Sequence, residues 1–210
     1  CRRGGIFWHP LEQRLYWRDI RFKHIHCYDP ASKTFKRWEV PGILGSLAPC
    51  VNGGLLLGFE DKIAHFDLDS SKIKILFDSK SGLRMNDGLT DPAGRFWVGQ
   101  ADDEFQERGK LFRFDPDGQC HVMEEGLTIS NGLDWDISRQ RFYIADSPKH
   151  VIHIFDYDHD SGMIRNRRTF IEFNDDDGVP DGFILDTQGY LWCCMWDGYK
   201  IVRISPEGEI

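Results

Sequence analysis

Residues 181–197 read Asp-Gly-Phe-Ile-Leu-Asp-Thr-Gln-Gly-Tyr-Leu-Trp-Cys-Cys-Met-Trp-Asp, and two earlier stretches say nearly the same thing. Residues 87–97 read Asp-Gly-Leu-Thr-Asp-Pro-Ala-Gly-Arg-Phe-Trp, and 131–146 read Asn-Gly-Leu-Asp-Trp-Asp-Ile-Ser-Arg-Gln-Arg-Phe-Tyr-Ile-Ala-Asp. Each copy opens with a carboxylate or carboxamide before Gly and continues through alternating apolar residues. A polar turn follows, then an aromatic pair that starts another strand. Alternation with period two, punctuated by Gly, Pro, Asn and Asp, is the pattern of short strands. A repeat that returns an oxygen donor to the same place each time is how a radial fold assembles a central site.

Working outward, a second element recurs as an aromatic residue, Asp and a turn: Tyr28-Asp29-Pro30, Phe66-Asp67, Phe114-Asp115-Pro116 and Phe155-Asp156. The four Asp residues are separated by 38, 48 and 41 residues. A period of about 40–50 residues built only from short strands predicts propeller blades, each a four-stranded antiparallel sheet. Four units are nearly complete, at about 6–40, 47–80, 87–125 and 131–173, and a fifth starts near 181. The predicted fold is an all-β propeller, present as an incomplete chain of about four and a half blades in one domain spanning 1–210, with almost no helix. Cys1 and Ile210 fall inside repeating units, so the expectation is a fragment lacking C-terminal blades and the true N-terminus. Asp29, Asp67, Asp115 and Asp156 are read as strand-ending turn residues that hydrogen-bond their own backbone. Trp17, Trp97 and Trp192 are read as wedges between blades.

Composition narrows the function. The net charge is −8 and the largest basic cluster is Arg165, Arg167 and Arg168, too little for a nucleic-acid partner. No apolar run approaches the roughly 20 residues that cross a bilayer, so no membrane role is expected. The six cysteines form no C-x-x-C pair, and neighbours Cys193 and Cys194 should face opposite sides of a strand. Reduced, mostly buried thiols in a cytoplasmic protein are the expectation.

Three polar clusters break the pattern: Arg84-Met85-Asn86-Asp87-Gly88, Thr128-Ile129-Ser130-Asn131-Gly132 and Val179-Pro180-Asp181-Gly182. Each puts Asn or Asp before Gly at the start of a predicted innermost strand. Oxygen donors converging there would suit a hard cation. Singly, Asn-Gly and Asp-Gly are ordinary turn dipeptides. Three copies in phase with the repeat favour a site, with Asn86, Asn131 and Asp181 converging on one point.

These clusters, together with Asp91-Pro92-Ala93-Gly94-Arg95-Phe96-Trp97, resemble the signatures of the senescence-marker-protein/gluconolactonase family, also called regucalcin-like. The likeness spans nearly all 210 residues, in family order and spacing. It implies a six-bladed β-propeller, one divalent cation (calcium, zinc, magnesium or manganese) and hydrolysis of sugar lactones. It also implies Asn131 and Asp181 as metal ligands and Asp181 as the catalytic carboxylate. Arg84, Asn86 and Glu104 are placed like substrate-binding residues, and Asp87 like a further polar channel position. The family's first ligand is a Glu, and here Gly4 stands in its place, which removes one anionic donor. No Gly-x-Ser-x-Gly elbow is present, which disfavours a serine hydrolase.

The reading is a metal-dependent lactonase that hydrolyses an aldonolactone to the aldonic acid, with a small-molecule sugar lactone as its partner and a monomer when complete. The alternative is a non-catalytic, calcium-binding regucalcin-like propeller.

Overall fold

The computed structural model describes residues 3–210, and consists almost wholly of strands. β1 (Arg3–His9), β2 (Arg14–Asp19), β3 (His24–Asp29) and β4 (Thr34–Glu39) form one antiparallel sheet. β5 (Leu44–Pro49), β6 (Leu55–Phe59), β7 (Lys62–Phe66) and β8 (Ile73–Asp78) form the second. The third contains β9 (Arg84–Thr90), β10 (Phe96–Ala101), β11 (Gly109–Phe114) and β12 (Cys120–Leu127). The fourth contains β13 (Ser130–Asp136), β14 (Arg141–Asp146), β15 (Val151–Asp158) and β16 (Met163–Glu172). The fifth has three strands, β17 (Val179–Leu185), β18 (Leu191–Trp196) and β19 (Lys200–Ile204). Within each sheet every strand pairs with the next in sequence, which is the blade meander the repeat predicts. Among the described residues the only helical segments are two three-residue 3₁₀ turns, Ser147–Lys149 and Asp175–Asp177.

The chain divides into two compact units, Cys1–Asn86 and Asp87–Ile210, with the division inside β9. In the first, Tyr16 and Ile25 of one sheet pack with Leu44, Leu55, Leu57 and Phe66 of the next. In the second there are two cores, and β14 separates them. Phe142 and Ile144 face the seam with the third sheet, where Trp97 of β10 meets Trp135 of β13 edge-to-face at 5.7 Å. Tyr143 and Ala145 face the fifth sheet, against Leu191, Cys193 and Met195. A strand buried on both faces needs no polar alternation, which explains the unbroken apolar run Phe142–Ala145.

The seam between the third and fourth sheets is closed by a buried carboxylate. Asp91 accepts from Arg95 Nε at 2.6 Å, Trp97 Nε1 at 3.1 Å and Tyr157 Oη at 2.9 Å. Arg95 also donates through Nη2 to Tyr157 Oη at 2.8 Å and to the His159 carbonyl at 2.6 Å. The stretch Asp91-Pro92-Ala93-Gly94-Arg95-Phe96-Trp97 is therefore a structural clasp as well as a turn.

Three details of the sequence reading change. Asp29 and Asp67 cap their own turns, accepting from Ala31 N and Ser70 N respectively. Asp115, however, turns its carboxylate to Arg113, and Asp156 lies inside β15 paired with Arg168. Asp158, two residues later, caps that turn by accepting from Asp160 N and Ser161 N. Of the three proposed wedges only Trp97 is fully buried, and Trp17 stacks half-buried on His26 at 5.1 Å. Trp192 is exposed, because β18 turns Leu191, Cys193 and Met195 inward and their alternates outward. The same alternation buries Cys193 and exposes Cys194, both free thiols as expected. Cys1 lies outside the described residues.

Candidate functional site

A β-bulge puts the key residues where they are. Between β13 and β14 the register slips between Asn131 and Leu133, leaving Gly132 as the extra residue. Between β17 and β18 it slips between Pro180 and Phe183, across Asp181 and Gly182. The first strands of the first two sheets slip in the same place, between Gly4 and Ile6 and between Leu44 and Ser46. Asn131-Gly132 and Asp181-Gly182 are therefore bulges inside strands and not hairpin turns. A bulge re-aims the side chain beside it, which is what a site at a strand start requires.

The glycine is required by close approach. A Cβ on Gly132 would collide with Phe183 Cδ1 and lie 2.6 Å from the Asp181 carbonyl oxygen. β13 and β17 thus run side by side with Asn131 and Asp181 on neighbouring bulges. In the first unit Gly45 is pressed in the same way, its Cβ position against the Met85 carbonyl.

Two carboxylates and a hydroxyl hold this corner of the second unit. Asp134, on β13, accepts from Leu185 N at 2.7 Å and Trp135 N at 2.8 Å, stapling β13 to β17. Burial pushes its carboxyl above the usual range despite those bonds. Asp146, fully buried at the end of β14, accepts from Thr128 N at 3.0 Å and Ile129 N at 3.1 Å. Ser147 follows it. Its Oγ accepts from Asn131 Nδ2 at 2.7 Å and donates to the Pro180 carbonyl at 2.5 Å. Asp146 and Ser147 escaped the sequence reading. Their signal, Asp-Ser directly after the run Phe-Tyr-Ile-Ala, looked like an ordinary strand end.

The other expected residues fall as follows. Arg84 and Asn86 stand together in the first unit, where Arg84 Nη1 donates to Asn86 Oδ1 at 2.5 Å and Asn86 is buried. Asp87 opens the second unit, half-buried, with its Oδ1 accepting from Gly88 N at 3.1 Å. Glu104 lies in the loop after β10, largely exposed, and pairs with Arg108 at 2.9 Å. Arg108 is itself held by the buried Asp102, whose carboxyl it keeps well below the usual range. Gly4 is paired with Arg18 through β1 and β2, and the Arg18 guanidinium lies over Gly5. Cys193 offers no competing nucleophile, since burial pushes its thiol up to about 12. Among the described residues no three His, Cys, Asp or Glu side chains gather as a metal cluster. The donors at the paired bulges are instead one carboxamide and one carboxylate, the chemistry of a hard cation with few protein ligands.

Four four-stranded meanders and a three-stranded fifth define an all-β propeller, and the chain shows five blades where the family resemblance implied six. The chain belongs to the SMP-30/gluconolactonase/LRE-like family, whose region matches residues 4–210. It is similar to YvrE of Bacillus subtilis, 34% identical over 206 residues that make up 96% of this chain and 70% of that protein. It is similar to the pentonolactonase XacC of Haloferax volcanii, 31% identical over 209 residues, covering 99% of this chain and 72% of that one. Among solved structures it superposes on a luciferin-regenerating enzyme with a TM-score of 0.91, at 26% identity, over 99% of this chain and 74% of that chain. No described helix is long and apolar enough to cross a membrane.

Proposed function

We propose that this protein hydrolyses a sugar lactone to its aldonic acid, with Asp181 as the proton-accepting carboxylate and Asn131 and Asp181 as oxygen donors to one divalent cation. The observation that supports this reading best is the close approach of two bulged first strands at Gly132, one carrying Asn131 and the other Asp181, in a family whose relatives include a pentonolactonase. A bound cation would supply Lewis-acid polarisation of the ester carbonyl. The chain's own residues do the rest. Asp181 takes a proton from water as the water oxygen attacks the carbonyl carbon, and returns it to the ring oxygen as the ring C–O bond breaks, releasing the hydroxy acid. Arg84, oriented by Asn86, supplies charged hydrogen bonds to substrate oxygens. Glu104 is engaged by Arg108, so a substrate contact there exchanges one partner for another.

The test is hydrolysis of five- and six-membered aldonolactones with and without added divalent cation. Asp181→Asn keeps the shape and removes both the charge and the proton acceptor, so turnover should vanish. Gly4→Glu should tighten cation binding by adding a third donor. A protein that binds calcium tightly and hydrolyses no lactone would be a calcium-binding propeller instead.

A further inference from the structure

Ser147 stands at the first position of a 3₁₀ turn and is 5% exposed. Its backbone is fixed on both sides, since Ser147 N donates to the Ile129 carbonyl at 3.1 Å and His150 N donates to the Ser147 carbonyl at 2.9 Å. Its side chain touches Asn131 and the residue just before Asp181. The hydroxyl lies 2.7 Å from Asn131 Nδ2 and 2.5 Å from the carbonyl oxygen of Pro180, the residue before Asp181.

Counting protons orients the amide. A serine hydroxyl has one hydrogen to donate, and a backbone carbonyl can only accept. The short approach to Pro180 therefore uses that hydrogen, and Ser147 Oγ has only lone pairs left for Asn131. The end of the carboxamide that meets it must be the N–H end, which places Oδ1 on the side away from Ser147. The opposite orientation would face two acceptors, or free the hydroxyl only by leaving the Pro180 carbonyl unpaired in a buried setting.

We propose that Ser147 is a positioning residue that locks the Asn131 carboxamide with Oδ1 presented to a hard cation, while pinning the strand start that carries Asp181. The inference rests on the proposed function, because the orientation matters only if Asn131 donates an oxygen. A metal-ligating group is commonly oriented by such an outer hydrogen bond, and removing one typically weakens metal binding by about 10–100-fold.

The experiment is calorimetric titration of the full chain with calcium alone, and with manganese alone, for the native protein and Ser147→Ala, each in the native and the Asn131→Asp background. A carboxamide has two unlike ends and can be held the wrong way round, whereas a carboxylate has two equivalent oxygens. Ser147→Ala should therefore weaken cation binding by about tenfold or more in the native background. In the Asn131→Asp background the same change should cost less than about threefold, because there is no wrong orientation to prevent. Equal losses in both backgrounds would overturn the proposal and assign Ser147 to the Pro180 carbonyl alone, and no loss in either would also overturn it. Should Ser147→Ala fail to fold, Ser147→Cys keeps the volume while offering a poor acceptor, and the same pattern is expected of it. A native protein that binds neither ion fails at the proposed function itself, a result distinct from native binding that Ser147 does not affect.

Discussion

Lowering the pH should destabilise the second unit through one buried histidine. His153, on β15, is 7% exposed, and its Nε2 accepts a hydrogen bond from Arg167 Nη2 at 2.7 Å. Arg167 is held in turn by Glu124 of β12, at 3.1 Å. Protonating the buried imidazole would set a second cation against the half-buried guanidinium. Burial, then Arg167 and Lys149, accordingly push its pKa down to about 4 from the ordinary 6.5. The sign follows from linkage. The folded pKa is depressed, so the contribution is fully present above about pH 6.5 and is lost as the pH falls toward 4, where the unfolded chain takes up a proton that the folded one refuses. For a shift of that size the loss is about 2 kcal/mol at pH 5 and about 3 kcal/mol at pH 4. His153→Gln keeps an acceptor for Arg167 and removes the titration. Urea unfolding of both proteins at pH 7 and pH 5 isolates the effect, because every other ionisable group cancels in the double difference. The expected double difference is about 2 kcal/mol, with the native protein losing more. A value under about 0.5 kcal/mol, within the error of extrapolated unfolding energies, would show that His153 titrates normally and refute the argument.

Asp91→Ala should destabilise by about 3–5 kcal/mol in denaturant unfolding, since it strips the carboxylate from a buried Arg95 and also leaves Trp97 Nε1 without its acceptor. Gly132→Ala should lower both thermal stability and lactone turnover, by about 1–3 kcal/mol in the first, because its Cβ meets the Asp181 carbonyl and the Phe183 ring. Asp181→Asn should leave the unfolding midpoint nearly unchanged while abolishing turnover in the lactone assay.

The sequence by itself determined the repeat, and with it the blades. Alternating apolar residues after each Asn-Gly or Asp-Gly, at a spacing of about 40–50 residues, leave few arrangements other than consecutive antiparallel meanders. It also brought out Asn131 and Asp181, because two polar residues in phase with an apolar repeat are conspicuous. Tertiary structure decided the rest. That Gly132 lies in a bulge rather than a turn shows only in the register of β13 on β14, and that it is glycine follows from a neighbouring backbone passing 2.6 Å from its Cβ position; dipeptide composition carries no trace of either. Trp97 and Trp192 sit in the same Leu/Phe-Trp context after equivalent turns, yet one is fully buried and the other exposed. Which face of a strand is covered is settled by the sheet packed against it and not by the strand's own residues. The same holds for Ser147. A serine after a strand is an unremarkable residue in the sequence, and it gains meaning only where the fold brings the Asn131 amide and the Pro180 carbonyl, 16 and 33 residues away, to its single hydroxyl.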